Sequence, residues 1–384
     1  MSPRRRWFMA VAIGALLIFS SGCTAMPDIQ SNAYAAAIGI DYKDGKWIAY
    51  AQIINFTTIA HSDQVEVGKD TPVWIGEGEG DTVSSALIDV GEASQLRMFW
   101  GHVKVLVMTE AALKKNVQDV YSAINRYREV RYTVYVYGTD RDMREVLMQK
   151  SILNMSPLYT KMYTGTQASS DRSFLLPVTA NRLIANLNEP GEPASIPSIG
   201  VDIGDWTEDD KQKPMFILTG AYYFHDNKLA GWLSADELRG ARWAESALER
   251  TPLVVRKDDK PLGLIMFSHP ELSIRSIADA GGAKFRIGVE AEGYVMEMMD
   301  HATMEELKRI ARQSIGEEVE ATFLKGVKHG CDPFGLSEEL YRSNPKSFRK
   351  LAAERQFFLT LESLAGVDVK VRLINTGKYQ GTPP

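Results

Sequence analysis

Alternating apolar and polar positions predict several β-strands along the chain. In residues 367–373, valine or leucine occupies every second position between charged residues, which is the period of a strand with one buried face. This two-faced pattern indicates antiparallel pairing or an edge position in a sheet. Further strands are predicted at 34–41, 47–56, 73–75, 102–108, 131–137, 215–224, 229–233, 262–267, 272–277 and 285–291.

Short turn signals join two pairs of these strands. Asp44-Gly45 lies between the first two predicted strands, and Asp226-Asn227 lies between 215–224 and 229–233. Residues of these types tolerate the backbone conformation that a two-residue hairpin turn requires. The chain is therefore predicted to form two antiparallel hairpins.

Apolar residues three or four positions apart predict helices. The clearest helix starts at Thr303, where Glu306 completes a capping box, and ends near Gly330, a suitable C′ residue. A second capping box, at 234–237, precedes a predicted helix through 238–248. Other helices are predicted after a cap at Asp81 or Thr82, at 110–128 and at 143–148.

The order of these elements predicts a multi-domain α+β protein, with mixed and antiparallel sheets and packed helices. Strands alternate with helices over 32–137, which favours a mixed sheet with helices on its faces. Residues 61–70 are polar and are predicted to form a loop, and the proline-rich residues 188–199 are predicted to form a linker. We therefore expect an N-terminal α/β domain at 33–200 and a C-terminal α+β domain, open to subdivision, at 201–384.

The first 22 residues have the layout of a secretory signal peptide. Three arginines precede an uncharged apolar run at 7–19, and Ser20-Ser21-Gly22 then leads to Cys23. The thirteen residues of this run span about 20 Å as a helix, against a hydrocarbon core of about 30 Å. A permanent transmembrane anchor is therefore the weaker interpretation.

The residues before Cys23 resemble the lipobox of bacterial lipoproteins, apart from Ser20, where leucine is usual. The resemblance implies that a diacylglyceryl group is attached to the Cys23 thiol, that 1–22 is removed, and that 23–32 forms a lipidated tether. Two or more acyl chains hold a protein firmly at a membrane. The alternative is a secreted protein that is cut nearby and keeps a free thiol.

Composition and charge exclude several classes of protein. Hydrophobic residues make up 45% and charged residues 24%, which excludes a disordered tail, a collagen-like repeat and a polytopic membrane protein. The net charge is −5, and about −8 once the signal arginines are removed, so the basic excess of a nucleic-acid-binding protein is missing. Such an acidic body has no polybasic second anchor, and the lipid alone is expected to hold it.

The sequence contains no convincing catalytic, metal or cofactor site. Its six histidines include no zinc-protease pair, and no Gly-x-Ser-x-Gly elbow or Walker loop is present. The glycines of 76–80 alternate with carboxylates that would repel phosphate, and they are predicted to form a turn. His102 is assigned a structural role, and Tyr132, Tyr135 and Tyr137 are predicted to pack in or against a sheet rather than to form a ligand platform.

Two features follow the predicted long helix. Two cysteines exclude a disulfide framework and a four-cysteine zinc site, and Cys331 is predicted to be a plain buried or half-buried residue. Asp332-Pro333-Phe334-Gly335 is a turn signal that stops the helix and redirects the chain, or, alternatively, a contact surface.

Several segments match one family in order and spacing. In the first half they are Ile38-Gly39-Ile40-Asp41, Gln52-Ile53-Ile54-Asn55, Gly76-Glu77-Gly78 and Gly101-His102-Val103-Lys104-Val105-Leu106-Val107. In the second half they are Leu218-Thr219-Gly220-Ala221, Lys228-Leu229-Ala230-Gly231-Trp232-Leu233, Glu237-Leu238-Arg239-Gly240, Asp332-Pro333-Phe334-Gly335-Leu336, Asn344-Pro345, 367–373 and Thr376-Gly377. Together with the lipobox, these segments resemble the Ger(x)C lipoproteins, the C subunits of nutrient germinant receptors in endospore-forming bacteria.

The chain departs from that family at two places. Thr24-Ala25-Met26 follows Cys23 where family members often carry a polar group such as Trp-Asp-Arg, and Phe348 stands where the family often has tryptophan. The first departure falls in the predicted tether, and the second keeps an aromatic side chain.

The resemblance implies a non-enzymatic receptor subunit without a cofactor. It would lie on the outer face of the spore inner membrane and join an A-type membrane subunit and a B-type, transporter-like membrane subunit, with no nucleic-acid partner. A lipid-anchored solute-binding protein of an importer is the alternative, although the hairpins at Asp44-Gly45 and Asp226-Asn227 argue against its largely parallel sheets. An envelope hydrolase is a third hypothesis. It requires clustered catalytic carboxylates or a Ser/His set, for which the sequence contains no recognisable motif.

Overall fold

The fold is given by a computed structural model that describes residues 3, 7, 32–54, 72–165, 173–279, 282–299, 302–354 and 357–374. Cys23, the tether before Asn32 and the predicted loop at 61–70 lie outside the described residues. The described residues form a large sheet, a second sheet of four strands and a two-stranded ribbon. This arrangement of several sheets with packed helices confirms the predicted α+β class.

The large sheet carries parallel strands at its centre and antiparallel strands at both sides. The strands are β1 Asn32–Lys43, β2 Lys46–Ile53, β3 Trp74–Gly80, β4 Arg97–Phe99, β5 Val105–Thr109, β6 Tyr135–Thr139, β7 Val178–Thr179, β8 Ala194–Asp202, β11 Met215–His225 and β12 Lys228–Ser234. Their order is β12-β11-β8-β6-β5-β1-β2-β3, with β4 beside β1 and β7 beside β6. The neighbouring pairs among β8, β6, β5 and β1 are parallel, and the outer pairs are antiparallel.

Helices and turns cover both faces of this sheet. The helices are α1 Val83–Glu92, α2 Glu110–Leu113, α3 Val117–Asn125, α4 Met143–Leu147 and α5 Ala180–Asn188. Buried residues of α1, α2, α3 and α5 form one core with one face, and α4 and the turns at 157–163 form another core with the opposite face. The sheet is therefore the middle layer of three.

The second sheet packs on one long helix. The ribbon strands are β9 Thr207–Glu208 and β10 Lys211–Gln212, and the elements of the second sheet and its helices are β13 Thr251–Lys257, β14 Lys260–Asp279, β15 Gly282–Met298, β16 Leu364–Ile374, α6 Met304–Lys328, α7 Leu336–Ser343 and α8 Pro345–Glu354. The order of the second sheet is β13-β14-β15-β16, in which the final pair is parallel and the others are antiparallel. Leu307, Ile315 and Phe323 of α6 are fully buried against the sheet, as the spacing of apolar residues predicts.

Both predicted hairpins are confirmed. Asp44 and Gly45 have φ values of 51° and 86°, and Asp226 and Asn227 have values of 46° and 62°. Positive φ at both central residues is the geometry of a type I′ turn, whose twist matches that of the strands it joins. The residue types of these turns therefore determine the antiparallel pairing of β1 with β2 and of β11 with β12.

The capping predictions are confirmed in part. Thr82 caps α1, and Thr303 caps α6 by accepting a hydrogen bond from the Glu306 N–H at 3.2 Å. The Glu306 side chain instead accepts from Lys257 Nζ at 2.7 Å. The Ser234–Glu237 capping pair forms, but the predicted α-helix after it is wrong.

A 3-10 turn at Arg239–Ala244 replaces that helix, because its backbone contacts α6. A Cβ atom on Gly240 would lie 2.6 Å from the carbonyl carbon of Glu318. A tertiary contact thus overrides the local signal.

Two predictions between 110 and 137 are wrong in their bounds. The predicted helix at 110–128 is broken into α2 and α3, because Asn116 is extended and caps α3 through Gln118. The strand predicted from residue 131 begins at Tyr135. The backbone carbonyls of Tyr132 and Val134 accept hydrogen bonds from the first N–H groups of α5.

Long-range pairing also changes several strands. The two strands predicted at 262–267 and 272–277 form one strand, β14, with a bulge near His269, whose φ is 46°. β16 lies at the sheet edge as predicted, but it pairs in parallel with β15. The predicted linker at 188–199 is wrong, because Ala194–Asp202 is β8 and pairs with β11.

The large sheet continues through β11 and β12 beyond residue 200, where the sequence places a domain boundary. The division of the chain at that residue stays a prediction. Among the helices of the described residues, none has both the length and the apolar character needed to cross a membrane.

Candidate functional site at the junction of the two sheets

The end of α6 leads directly to the place where the two sheets meet. Gly330 has a φ of 69°, its N–H donates to the Val327 carbonyl at 3.1 Å, and the Cys331 N–H donates to the Gly326 carbonyl at 2.8 Å. These bonds are a Schellman motif, in which glycine takes the left-handed position after the helix. The sequence prediction of Gly330 as the C′ residue is therefore confirmed.

The Asp332 side chain organises the turn that follows. Its carboxylate accepts hydrogen bonds from the backbone N–H groups of Gly335 and Leu336, both at 3.0 Å, and of Ser337 at 2.8 Å. Burial raises the pKa of this carboxyl above its ordinary value, and the backbone donors act in the opposite direction. The motif Asp332–Gly335 thus redirects the chain after α6, as predicted, and its carboxylate also caps the start of α7.

The turn before β8 packs against α7. Gly191 has a φ of 78°, and a Cβ atom there would lie 2.8 Å from the Ser337 carbonyl oxygen. Gly335 has a φ of 76° and faces the ring of Pro193. A positive φ favours glycine at both positions, and at Gly191 the backbone also lies too close to α7 to admit a side chain. The proline-rich segment therefore joins the two sheets through contact.

A pair of carboxyl groups crosses this junction. Glu192 from the turn and Glu338 from α7 are hydrogen bonded to each other, and Glu338 also forms an ion pair with Arg342. Burial, followed by the hydrogen bond and the charge of Glu338, raises the pKa of Glu192 to about 7. Two close carboxyls hold one proton between them because two negative charges would repel each other. The contact between the halves is thus sensitive to pH.

An aromatic cavity of about 290 Å³ lies beside the carboxyl pair. The rings of His225 and Phe357 are 6.2 Å apart, and those of Phe348 and Phe358 are 5.9 Å apart. This volume lies at the lower limit of small-molecule sites, which enclose about 300–1,000 Å³. No group of three or more His, Cys, Asp or Glu side chains in the described part of the chain is arranged to hold a metal ion. The geometry suits a packed joint between two units.

The glycine-rich segment that the sequence places in a turn is a strand. Residues 74–80 form β3 and pair with β2 at the edge of the large sheet. Predicting a turn there is wrong, because the glycines lie against α1. A Cβ atom on Gly78 would lie 2.5 Å from the Ala86 carbonyl oxygen and from the Val90 nitrogen.

The three tyrosines that the sequence groups together separate in the structure. Tyr135 and Tyr137 lie on one face of β6, where Tyr137 is fully buried, and they pack against the sheet as predicted. Tyr132 is 59% exposed in the turn before the strand. His102, His225, His269 and His329 lie on different elements, and His61 and His301 fall outside the described residues.

The two cysteines have different outcomes. Cys331 is 2% exposed beside Gly231, and burial raises the pKa of its thiol to about 12, so the prediction of a plain buried residue is confirmed. Cys23 lies outside the described residues, and its lipidation stays a prediction. Sequence reasoning missed Glu192 and Glu338, because nothing in the local pattern distinguishes them from surface carboxylates.

Comparison with known families gives two matches, in order along the chain. The model of the "Spore germination protein N-terminal domain" matches residues 26–201. The model described as "Spore germination B3/ GerAC like, C-terminal" matches residues 219–377.

Individual proteins are similar over most of the chain. "Spore germination protein KC" of Bacillus subtilis is 23% identical over 369 residues, which is 90% of either chain. "Spore germination protein B3" of the same organism is 18% identical over 374 residues, covering 94% of this chain and 96% of the relative. The crystal structure of the GerBC protein superposes with a TM-score of 0.54 at 16% identity, covers 89% of this chain and 98% of that one, and shows the same fold.

Proposed function

The chain belongs to the GerAC family of spore germination proteins, and we propose that it is a non-enzymatic, lipid-anchored subunit of a nutrient germinant receptor. In this role it lies on the outer face of the spore inner membrane, beside an A-type and a B-type membrane subunit. It takes part in the response that starts germination when a nutrient is present.

The observation that carries the proposal is the pair of family matches. Both family models match in the same order, over 26–201 and 219–377, and relatives named as spore germination proteins align along nearly their whole length. Similarity of this extent covers both sheets and the junction between them. It therefore supports a shared role for the whole chain, because the similarity is not confined to a single domain.

Attachment through Cys23 is the second part of the proposal. The Ser20-Ser21-Gly22-Cys23 sequence supplies the acceptor thiol after a short apolar run. Asn32, where β1 begins, is nine residues further along the chain. An extended chain of that length spans about 30 Å at most, so the folded part stays close to the membrane surface.

Changing Cys23→Ala tests the anchor and the role together. Without an acyl chain the protein has lost its proposed hold on the lipid, so we expect the membrane-bound fraction to fall by about tenfold or more. Nutrient-triggered germination is expected to fall with it. Fractionation followed by immunoblotting measures the first effect, and loss of optical density in a spore suspension measures the second.

The chain offers a matched control in its other cysteine. Cys331→Ala changes the same side chain at a buried position and should leave the protein at the membrane. Spores of either variant should still respond to a trigger that bypasses the receptor. Normal nutrient germination in a deletion strain that has no redundant receptor would contradict the proposed role.

A further inference from the structure

One end of the large sheet lies at the amino end of β1, and we call this surface the tether end. It comprises Trp74, Leu96, Arg97, Lys104, Arg126, Arg128, Arg131 and Tyr132. Arg97 of β4 lies directly opposite Asn32 in the parallel register, so the end of the tether and this surface coincide. The inference below rests on the proposed attachment at Cys23.

Hydrogen bonds bring separate basic segments to this end. The Lys104 N–H donates to the Ala36 carbonyl at 2.9 Å, which places Lys104 beside the first part of β1. The Tyr135 N–H donates to the Lys104 carbonyl at 2.8 Å, so the turn that precedes β6 arrives at the same edge.

The turn at 126–132 is held against β4. The Trp100 N–H donates to the Glu129 carboxylate at 2.9 Å, and the rings of Trp100 and Tyr127 are 5.7 Å apart. Arg126, Arg128 and Arg131 are all exposed around this contact. A rigid turn therefore presents three arginines beside Arg97 and Lys104.

These five cations exceed the acidic groups of the segments that carry them. None of them forms an ion pair with another described residue, and the acidic side chains of these segments are Glu92 at the end of α1 and Glu129. Glu189, Glu192 and Asp226 lie at the same end of the sheet, beside the start of β8 and the end of β11. The expectation of a body without a polybasic surface is therefore wrong for this end. Arg126, Arg128 and Arg131 lie within six residues of the sequence, and the fold adds Arg97 and Lys104 to them.

Exposed apolar side chains lie at the same end of the sheet as the cations. Trp74 is 69% exposed, Leu96 is 46% exposed and Tyr132 is 59% exposed. Trp74 pairs with Ile53, which in turn pairs with Ala35 near the start of β1. Aromatic and basic side chains together are characteristic of proteins that lie at the membrane–water interface.

The opposite end of the same sheet carries both signs of charge. Its carboxylates are Asp41, Asp44, Glu77, Glu79, Asp81, Asp140 and Asp142, and Lys46, Arg141 and Arg144 form ion pairs with three of them. An anionic surface would therefore attract the tether end, whose cations form no ion pairs, more strongly than this end.

We propose that the tether end rests on the anionic phospholipid headgroups of the membrane and is the second, electrostatic point of attachment. The five cations neutralise headgroup phosphates, and Trp74, Leu96 and Tyr132 enter the interfacial layer. The opposite end of the large sheet then points away from the lipid.

A photo-crosslinking amino acid tests this orientation in the full anchored chain. It replaces Tyr132 in one variant and Trp206 in another, since Trp206 is 51% exposed after the carboxyl end of β8. The chain is reconstituted in vesicles of phosphatidylglycerol and phosphatidylcholine and irradiated. We expect at least about fivefold more lipid adduct at position 132, the effect of about one basic side chain at an anionic surface.

Charge reversal identifies the cause. Arg97→Glu, Arg126→Glu, Arg128→Glu and Arg131→Glu together should reduce the adduct at position 132 to the level at 206. The matched control reverses four exposed cations on α6 and α8, namely Arg309→Glu, Lys346→Glu, Arg349→Glu and Lys350→Glu. This control should keep the higher yield of lipid adduct at position 132. Circular dichroism checks that both charge-reversal variants fold. If either variant fails to fold, the comparison of lipid adducts at positions 132 and 206 in the chain without charge reversals still tests the proposal.

Equal lipid adducts at 132 and 206, or a protein adduct at 132 when the partner subunits are present, would overturn the inference. Equal yields in vesicles of phosphatidylcholine alone and with phosphatidylglycerol would also do so. These results are independent of the proposed function, because lipid adducts are scored in vesicles and germination in spores. A chain that germinates normally without Cys23 but crosslinks at 132 would refute the anchor and keep this surface.

Discussion

Glu318 shows how one side chain joins the segment before the second sheet to its long helix. Its carboxylate accepts from Arg242 at 2.8–3.0 Å and from the indole N–H of Trp243 at 2.8 Å. Only 12% of the Arg242 side chain and 18% of the Glu318 side chain are exposed. A charge pair in such an enclosed place is strongly coupled, because loss of one partner leaves the other without compensation.

We predict that Glu318→Gln lowers the free energy of unfolding by about 3 kcal/mol. Glutamine keeps the shape but leaves the Arg242 guanidinium without a counter-charge. Urea unfolding followed by tryptophan fluorescence measures the effect. The neighbouring exposed residue supplies the control, since Glu317→Gln should change stability by less than about 0.5 kcal/mol. Equal effects of the two substitutions would show that the ion pair is not enclosed in solution.

Among the elements, β3 and α1 show why glycine alternates in a strand. Gly76, Gly78 and Gly80 place no side chain between the strand and the helix, and Val83, Leu87 and Val90 of α1 are buried in the resulting contact. Glycine ordinarily weakens a strand, but here it permits a close backbone approach. The intervening glutamates face away, and Glu77 forms an ion pair with Arg144.

The same substitution at two glycines should have opposite effects. Gly78→Ala puts a methyl group against the backbone of α1, and we expect it to lower the free energy of unfolding by about 2 kcal/mol. Gly91→Ala lies within α1, where the nearest atom to a new Cβ is Met98 Cγ at 3.9 Å. It should be neutral or stabilise by up to about 1 kcal/mol, since alanine favours a helix. Thermal unfolding distinguishes the two, and a loss of stability in both would refute the packing argument.

At the scale of the whole molecule, two sheets of different topology meet at a small joint. The turn before β8 belongs to the large sheet, and α7 belongs to the second sheet's layer. Glu192 and Glu338 link them by a hydrogen bond that needs one shared proton. The charges of Arg342 and Arg182 act in the opposite direction and partly offset the repulsion. The strength of the joint therefore changes with pH.

The direction of the pH dependence follows from the raised pKa. Folding raises the pKa of Glu192 from 4.5 to about 7, so the folded state binds more protons than the unfolded state between those values. The stabilisation is complete below about pH 4.5 and is lost as the pH rises through about 7. Because the site is partly open to solvent, the loss is on the order of 1 kcal/mol.

We predict that Glu192→Gln removes this dependence. The glutamine amide donates to the Glu338 carboxylate at any pH, so above about pH 7 the variant should be more stable than the parent by on the order of 1 kcal/mol. Unfolding midpoints in urea across the pH range measure the difference. Glu189→Gln, an exposed change in the same turn, should leave the parent profile intact. A parallel profile for Glu192→Gln would argue against a shared proton.

The sequence by itself determined the features that depend on neighbours along the chain. The type I′ turns at Asp44-Gly45 and Asp226-Asn227, the full length of α6 and its Gly330 end, and the α+β class all follow from local periodicity and turn chemistry. The family resemblance also came from the sequence, because short segments kept their order and spacing. Lipidation at Cys23 stays a sequence prediction, because Cys23 lies outside the described residues.

Only the tertiary structure decided the features that depend on residues far apart in sequence. Local proline content predicted a linker, but pairing with β11 makes Ala194–Asp202 a strand. The glycines of β3 look like a turn until α1 lies on them. Folding brings Arg97 and Arg131, which are distant in sequence, to one basic surface. It also brings Glu192 and Glu338 close enough to share a proton. These interactions join residues that are far apart in sequence, so the pattern of neighbouring residues along the chain does not predict them.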